Sequence, residues 1–244
     1  LVQWAGWDQR GEFNQALADG LAQAHPRKAY YPGASERLEQ FLTAYPDAMQ
    51  IGEMGGEYLP WVLISGLDPA DEDNICFKNE SFCSVLAETA VPAPDLFSYL
   101  EKAVRFANET LWGNLSATLI VHPKCLKKKF IKKGVEQAVA DLRVGMVLVN
   151  QFAAFAYMIG SCTWGAFPGN DIGDIQSGSG VACNTLMFEH PQKTVVRGPF
   201  SLPLDPLSLH SRTVHDTCRK MNDVHLQPSL RNISDVLWSS LRSP

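Results

Sequence analysis

Apolar residues recur along the chain in two rhythms, helical spacing in some stretches and short unbroken runs in others. Phe13, Ala16, Leu17, Leu21 and Ala24 keep helical spacing and predict a helix that Pro26 ends. Tyr31-Pro32-Gly33 then predicts a turn, and Leu38, Phe41, Leu42 and Tyr45 predict a second, shorter helix stopped by Pro46. Trp61-Val62-Leu63-Ile64, bounded by Pro60 and Gly66, has the length of a covered strand, and an acidic loop from Asp68 to Asn74 follows it. The clearest helix has Asp95 as its cap, Leu96, Tyr99, Leu100, Ala103, Val104 and Ala107 as its inner face, and Gly113 beyond its end.

Leu115 to Val121 predicts a strand. Ile131, Val135, Ala138, Val139 and Leu142 predict a fourth helix, with Gly145 at its end, that feeds a strand over Met146 to Val149. Strand and helix in alternation call for an α/β fold with a mostly parallel sheet covered by helices. From Gly160 the rhythm is lost. Gly and Ser dominate up to Gly180, Leu186-Met187-Phe188 and Thr194-Val195-Val196 predict two isolated strands, and a Pro-rich tail follows.

Composition narrows the function classes. The 244 residues are 45% hydrophobic and 19% charged, enough apolar material for a sizeable core. A net charge of −5 gives no electrostatic reason to hold a phosphate backbone, so nucleic acid is not an expected partner. Val144 to Phe167 is uncharged and long enough to span a bilayer. Asn150, Gln151, Ser161 and Thr163 interrupt it, however, and the expectation is a strand plus a buried loop, with no membrane partner. Cys76, Cys83, Cys125, Cys162, Cys183 and Cys218 form no CxxC pair and no regular framework, which points to a reducing compartment and a cytoplasmic location. The sequons at Asn79, Asn108, Asn114 and Asn232 read as chance in that setting. The first residue is Leu1, and the expectation is a chain that begins partway through a longer protein.

The short motifs that would name a cofactor or nucleophile directly are missing: there is no complete GxGxxG, no P-loop, no HExxH and no GxSxG. Gly178-Ser179-Gly180 reads as a backbone turn, because Cys183 stands where a third dinucleotide-binding Gly would be. Lys124, Lys127, Lys128, Lys129, Lys132 and Lys133 read as the solvated face of the fourth helix rather than an anion or membrane patch. His210, His215, Cys218 and His225 have no zinc-finger spacing, so no metal site is expected. Cys162 and Cys83 are the candidate thiol nucleophiles, but neither has a base that the sequence identifies, and Cys162 reads as a small buried residue.

The order of five patterns carries more. They are Glu80-Ser81-Phe82-Cys83-Ser84-Val85; Ala107-Asn108 with Leu111-Trp112-Gly113-Asn114-Leu115; Gly145 to Asn150; Thr163-Trp164-Gly165 with Gln176 to Gly180; and Lys193-Thr194-Val195. In that order the chain resembles the C-terminal half of the NAD(P)-dependent aldehyde dehydrogenase superfamily. Cys83-Ser84 stand for the family's Gly-Pro, Thr163-Trp164 for its Pro-Phe, and an insertion around Pro168 to Asp174 separates its loop from the Ser-Gly, which makes this a divergent branch.

The resemblance implies a division of the chain. Residues 1–160 would be a catalytic α/β domain truncated at its N-terminus, 161–200 an active-site loop with oligomerisation strands, and 201–244 a tail. It places Glu80 on the ribose hydroxyls of the cofactor and Phe82 against the nicotinamide, where residues alone leave Glu80 equally a surface carboxylate before a strand. Trp164 matches an aromatic of the aldehyde pocket, or else simply packs in the core.

The family's nucleophilic Cys, general-base Glu and nucleotide-binding domain match nothing in this chain, so no catalytic residue is assigned. The activity implied is aldehyde oxidation to carboxylate with NAD or NADP in the complete protein, with no tight cofactor binding by this chain alone. The alternative is a non-catalytic binding or oligomerisation module of the same fold. The resemblance also implies a homo-oligomer, at least a dimer, joined through the late strands as a C-terminal oligomerisation arm.

Overall fold

The computed structural model describes residues 1–24, 28–52, 55, 58–201 and 213–242, so the helix stop at Pro26 and the candidate ligand His210 lie outside the described residues. In chain order the elements are β1 (Val2–Trp4), α1 (Arg10–Gln23), α2 (Ala34–Ala44), β2 (Met49–Ile51), β3 (Trp61–Leu67), α3 (Ile75–Lys78), β4 (Val85–Val91) and α4 (Leu96–Glu109). Then come β5 (Ser116–Leu119), α5 (Pro123–Leu126), α6 (Lys129–Asp141), β6 (Met146–Val149), a 3-10 turn over Ala153–Met158, β7 (Trp164–Gly165), β8 (Val181–Ala182), β9 (Thr194–Arg197), α7 (Val214–Leu226) and α8 (Leu230–Leu241).

The helices form for the reasons their sequences give. Asp95 caps α4, its Oδ1 accepting the Ser98 amide at 2.9 Å and its Oδ2 the Ser98 hydroxyl at 3.0 Å. Asn74 caps α3 through the Cys76 amide at 3.0 Å. On α6, Ile131, Val135, Ala138 and Val139 are buried, and Leu142 continues the same face just beyond the helix. The helix ends at Asp141, before the expected Gly145. Gly145 serves a close approach instead: a Cβ there would lie 1.8 Å from the carbonyl oxygen of Gly165. The end of α6 is closed by Lys193, whose Nζ donates to the carbonyls of Val139, Ala140 and Leu142 at 3.1, 2.7 and 2.5 Å.

The strands are mostly parallel and helices flank them, as the alternation implies, but they fall into two principal sheets. One has the order β1-β4-β3-β2, with only the β2–β3 pairing antiparallel, and the other β5-β6-β9, parallel throughout. β4 is flanked by β1 and β3, so β5 pairs with β6 instead. β6 is the centre of the second sheet, and Met146, Val147 and Leu148 are wholly buried. Asn150 ends it in the left-handed region (φ +59°), where its side chain bonds both the amide and the carbonyl of Val121 at 2.7 and 3.0 Å.

Three expectations need correction. Thr194-Val195-Val196 is not isolated: β9 joins the edge of β6, with Val147 opposite Val195. Leu186-Met187-Phe188 is no strand. Asn184 bonds the amide and carbonyl of Phe188 at 2.9 and 2.8 Å, Met187 takes φ +54°, and all three apolar side chains are exposed. Most of the Pro-rich tail that is described is the helix pair α7–α8, joined where the Thr217 and Ser239 hydroxyls meet at 2.9 Å. Among the described residues no helix is long and apolar enough to cross a membrane, and residues 144–167 hold β6, the 3-10 turn and β7.

Side chains of three sequons are engaged within the fold. Asn108 bonds the Asp141 carbonyl and the Arg143 amide at 2.9 and 2.7 Å, Asn114 bonds Asn170, and Asn232 bonds the Gln227 carbonyl. Glu88, wholly buried on β4, is held by Arg10 Nε at 3.0 Å and the Gly66 amide at 2.9 Å.

Candidate functional site

A cleft of about 340 Å³ opens beside β4 and β5. Its floor includes Phe41, Phe77 and Phe106, all buried, and its rim carries Asn79, Glu80, Ser81 and Ser177. An apolar floor with a few polar groups at the mouth is the usual make-up of a small-molecule site. Three sequence patterns meet here. The Glu80 segment forms one wall and Trp112-Gly113 another, and the loop ending in Ser177 is tied to them: Gly113 donates its amide to Gln176 Oε1 at 3.0 Å and Asn114 donates to Ser177 Oγ at 2.8 Å. Gly113 is required in this turn. Its φ is +94°, and a Cβ would stand 3.1 Å from Ser177 Oγ.

Glu80 is an exposed rim residue whose partial burial pushes its carboxyl above the ordinary value. The chain beside it is strained: Phe82 has φ +41° and Gln176 φ +45°, a region costly for bulky side chains. Arg37 on α2 holds the segment, its guanidinium donating to the carbonyls of Pro32, Ser81 and Phe82 at 3.0, 3.0 and 3.1 Å. The Phe82 ring meets the edge of Tyr31 at 4.9 Å, lies 5.9 Å from the Arg37 guanidinium and stays 43% exposed. Phe82 therefore sits beside the cleft and does not line it. Nothing in the sequence singles out Arg37, a lone cation on a short amphipathic helix.

Trp164 is half-buried on β7, edge-on to Tyr157 at 5.4 Å, and it too does not line the cleft. A second hollow of about 390 Å³ lies beyond β7, under the insertion at Pro168–Asn170 and beside His190.

All six thiols are free and half-buried. Burial pushes the Cys76 thiol up to about 11, and pushes Cys83 and Cys162 up as well. Cys162 is thus less buried than expected, yet still unactivated. Among the described residues no group of His, Cys, Asp and Glu could hold a metal ion.

The same architecture occurs in solved enzymes. The NAD-dependent aldehyde dehydrogenase from Sinorhizobium meliloti overlays on this chain with a TM-score of 0.50 at 16% identity, over 68% of this chain and 32% of that one. The chain carries part of an aldehyde-dehydrogenase-like fold. PutA from Anabaena variabilis, assigned as an aldehyde dehydrogenase, overlays with a TM-score of 0.46 at 15% identity over 64% of this chain and 33% of that one. The chain thus spans about a third of the length of either protein. No family model matches it, and no curated protein matches it. Within the aldehyde-dehydrogenase-like fold the quoted patterns have structural work: Asn108 and Asn150 bond neighbouring backbone, Lys193 caps α6, and Gly145 lets β7 approach.

Proposed function

We propose that this chain forms one side of the cofactor cleft of an aldehyde-dehydrogenase-like oxidoreductase, which in the complete protein oxidises an aldehyde to a carboxylate with NAD or NADP. The observation that carries the reading is the convergence of the Glu80, Trp112-Gly113 and Ser177 segments on one cleft. The rim fits the ribose end of such a cofactor. Glu80 offers carboxylate oxygens to a pair of vicinal hydroxyls, and hydroxyl donors would replace the water that burial removes from that carboxylate. Arg37 is a positioning residue that fixes the backbone on which Glu80 stands. Phe41, Phe77 and Phe106 exclude water below it. When bound, the cofactor supplies the hydride acceptor. In this reading Phe82 offers an aromatic face next to the cleft, and Trp164 with Tyr157 forms part of an aldehyde pocket.

The raised thiols favour a second reading. With Cys76, Cys83 and Cys162 all shifted toward the protonated form, none is an activated nucleophile, as suits a non-catalytic binding or oligomerisation module. Both readings pair two copies of the chain. β9 has one edge on β6 and, among the described residues, no strand on the other, and Leu186, Met187 and Phe188 are exposed near it in sequence. Six free thiols suit a reducing compartment such as the cytoplasm.

Saturation-transfer NMR of NAD with the chain tests the cofactor reading. Transfer to the ribose protons, weakened about tenfold or more in affinity by Glu80→Ala, is the expected outcome, since a hydrogen bond to a charged group contributes roughly 1.5–3 kcal/mol. Equal affinity in the variant removes Glu80 from the site. No aldehyde-dependent reduction of NAD or NADP is expected of the chain by itself.

A further inference from the structure

We propose that the lysine-rich start of α6, with α5 before it, is a docking surface for an anionic lipid bilayer. Lys124, Lys127, Lys128, Lys129, Lys132 and Lys133 are all exposed. A solvated charged face usually interleaves both signs. This one does not: no Asp or Glu occurs between Glu109 and Glu136, and Glu136 is taken by Arg197 at 2.5 Å. No ion pair of these lysines is present among the described residues. The cluster therefore repels itself in the free chain, at the helix end where cations are least favourable. Lys128 is the N-cap, no side chain caps α6, and its first turn contains no acid.

The face cannot turn away. Ile131, Val135, Ala138 and Val139 fix the opposite side of α6 in the core, and Gly134 sits against Leu100 and Phe97 of α4. Phe130 stands among the lysines, 62% exposed and with no partner ring among the described residues. Diffuse positive charge around one apolar side chain suits a bilayer interface, which takes up an aromatic ring and attracts each nearby lysine. Base-specific reading of a polynucleotide favours arginine forks, and this run has none. The overall charge of −5 does not oppose docking, because fields are screened within about 8 Å at physiological salt and the patch alone meets the surface.

Sedimentation of the whole chain with vesicles tests this. Phosphatidylcholine vesicles containing about one third phosphatidylserine should carry the chain down at about 0.15 M salt, and pure phosphatidylcholine vesicles should not. Replacing Lys128, Lys129, Lys132 and Lys133 by Gln should weaken binding about a hundredfold or more. These changes remove charge from the positive end of a helix, so the fold is retained, which circular dichroism checks. Phe130→Ser should weaken binding several-fold at unchanged charge. Three results overturn the proposal: no binding above the phosphatidylcholine background, binding indifferent to the lysine changes, or binding indifferent to Phe130→Ser and competed away by RNA, which would make the patch a general polyanion surface.

Discussion

The sheet half around α6 and β6 and the rim around Glu80 are built by opposite means. In the first, Met146, Val147 and Leu148 are wholly buried between β5 and β9, Val147 packing with Val139 of α6 on one face and Met146 and Leu148 with Ala156 of the 3-10 turn on the other, and Lys193 closes the end of α6. In the second, Phe82 and Gln176 sit at positive φ, Glu80 and Phe82 meet water, and Arg37 fastens the segment through backbone carbonyls and one cation–π contact. The contrast teaches where each kind of free energy resides. Stability lies in the sheet, and the rim holds local strain that the sheet can sustain.

That contrast is broken or sharpened first by removing one large side chain from each region. Leu148→Ala should cost about 2–5 kcal/mol, because the wholly buried site leaves a cavity in a central strand. Phe82→Ala should cost about 1 kcal/mol or less, since the ring is largely in water and its loss gives up one aromatic edge contact and one cation–π contact. Urea unfolding midpoints of the two variants decide it. Equal costs would mean that the rim is part of the core.

An intermediate effect is expected at the helix end. Lys193→Met keeps the stem but leaves the carbonyls of Val139, Ala140 and Leu142 without their cation, at a cost of roughly 1.5–3 kcal/mol. Hydrogen exchange should quicken over the last turn of α6 while β4 is unaffected. Uniform quickening across both sheets would show that the lysine holds more than one helix.

How much of this is legible in the sequence follows the same division. α6 and β6 are read to within a few residues, because a helix with one apolar stripe and a strand buried on both sides leave plain periodic signals. β2 and α3 leave none: three and four residues are too few to show a period, and α3 exists mainly because Asn74 caps it. Thr194-Val195-Val196 is legible as a strand, but its place beside β6 is a long-range pairing that local pattern does not encode. α7 and α8 are hidden for another reason. Their contact uses Thr217 and Ser239, while Leu230, Leu237 and Trp238 face water, so the apolar stripe does not mark the packed side. At the site, Glu80 is legible through the order of motifs, and Arg37 is not, because it acts through the carbonyls of a loop distant in sequence.

The smallest expected effect concerns Glu80 itself and separates rim from sheet by pH. Partial burial raises its carboxyl above the ordinary value of 4.5, so the folded chain holds the proton over a range where the unfolded chain has released it. Stability associated with this group is fully present below about 4.5 and is lost as pH rises through the raised folded value. At neutral pH the wild-type chain therefore carries a small penalty that Glu80→Gln does not. The variant should be the more stable at neutral pH, within the roughly 0.5 kcal/mol usual at exposed sites, and the difference should vanish below the ordinary carboxylate value. Thermal melts of both proteins across that window measure it. Parallel pH curves would show that water reaches Glu80 as freely as any surface carboxylate, and the rim would then lose its one electrostatic distinction from the rest of the surface.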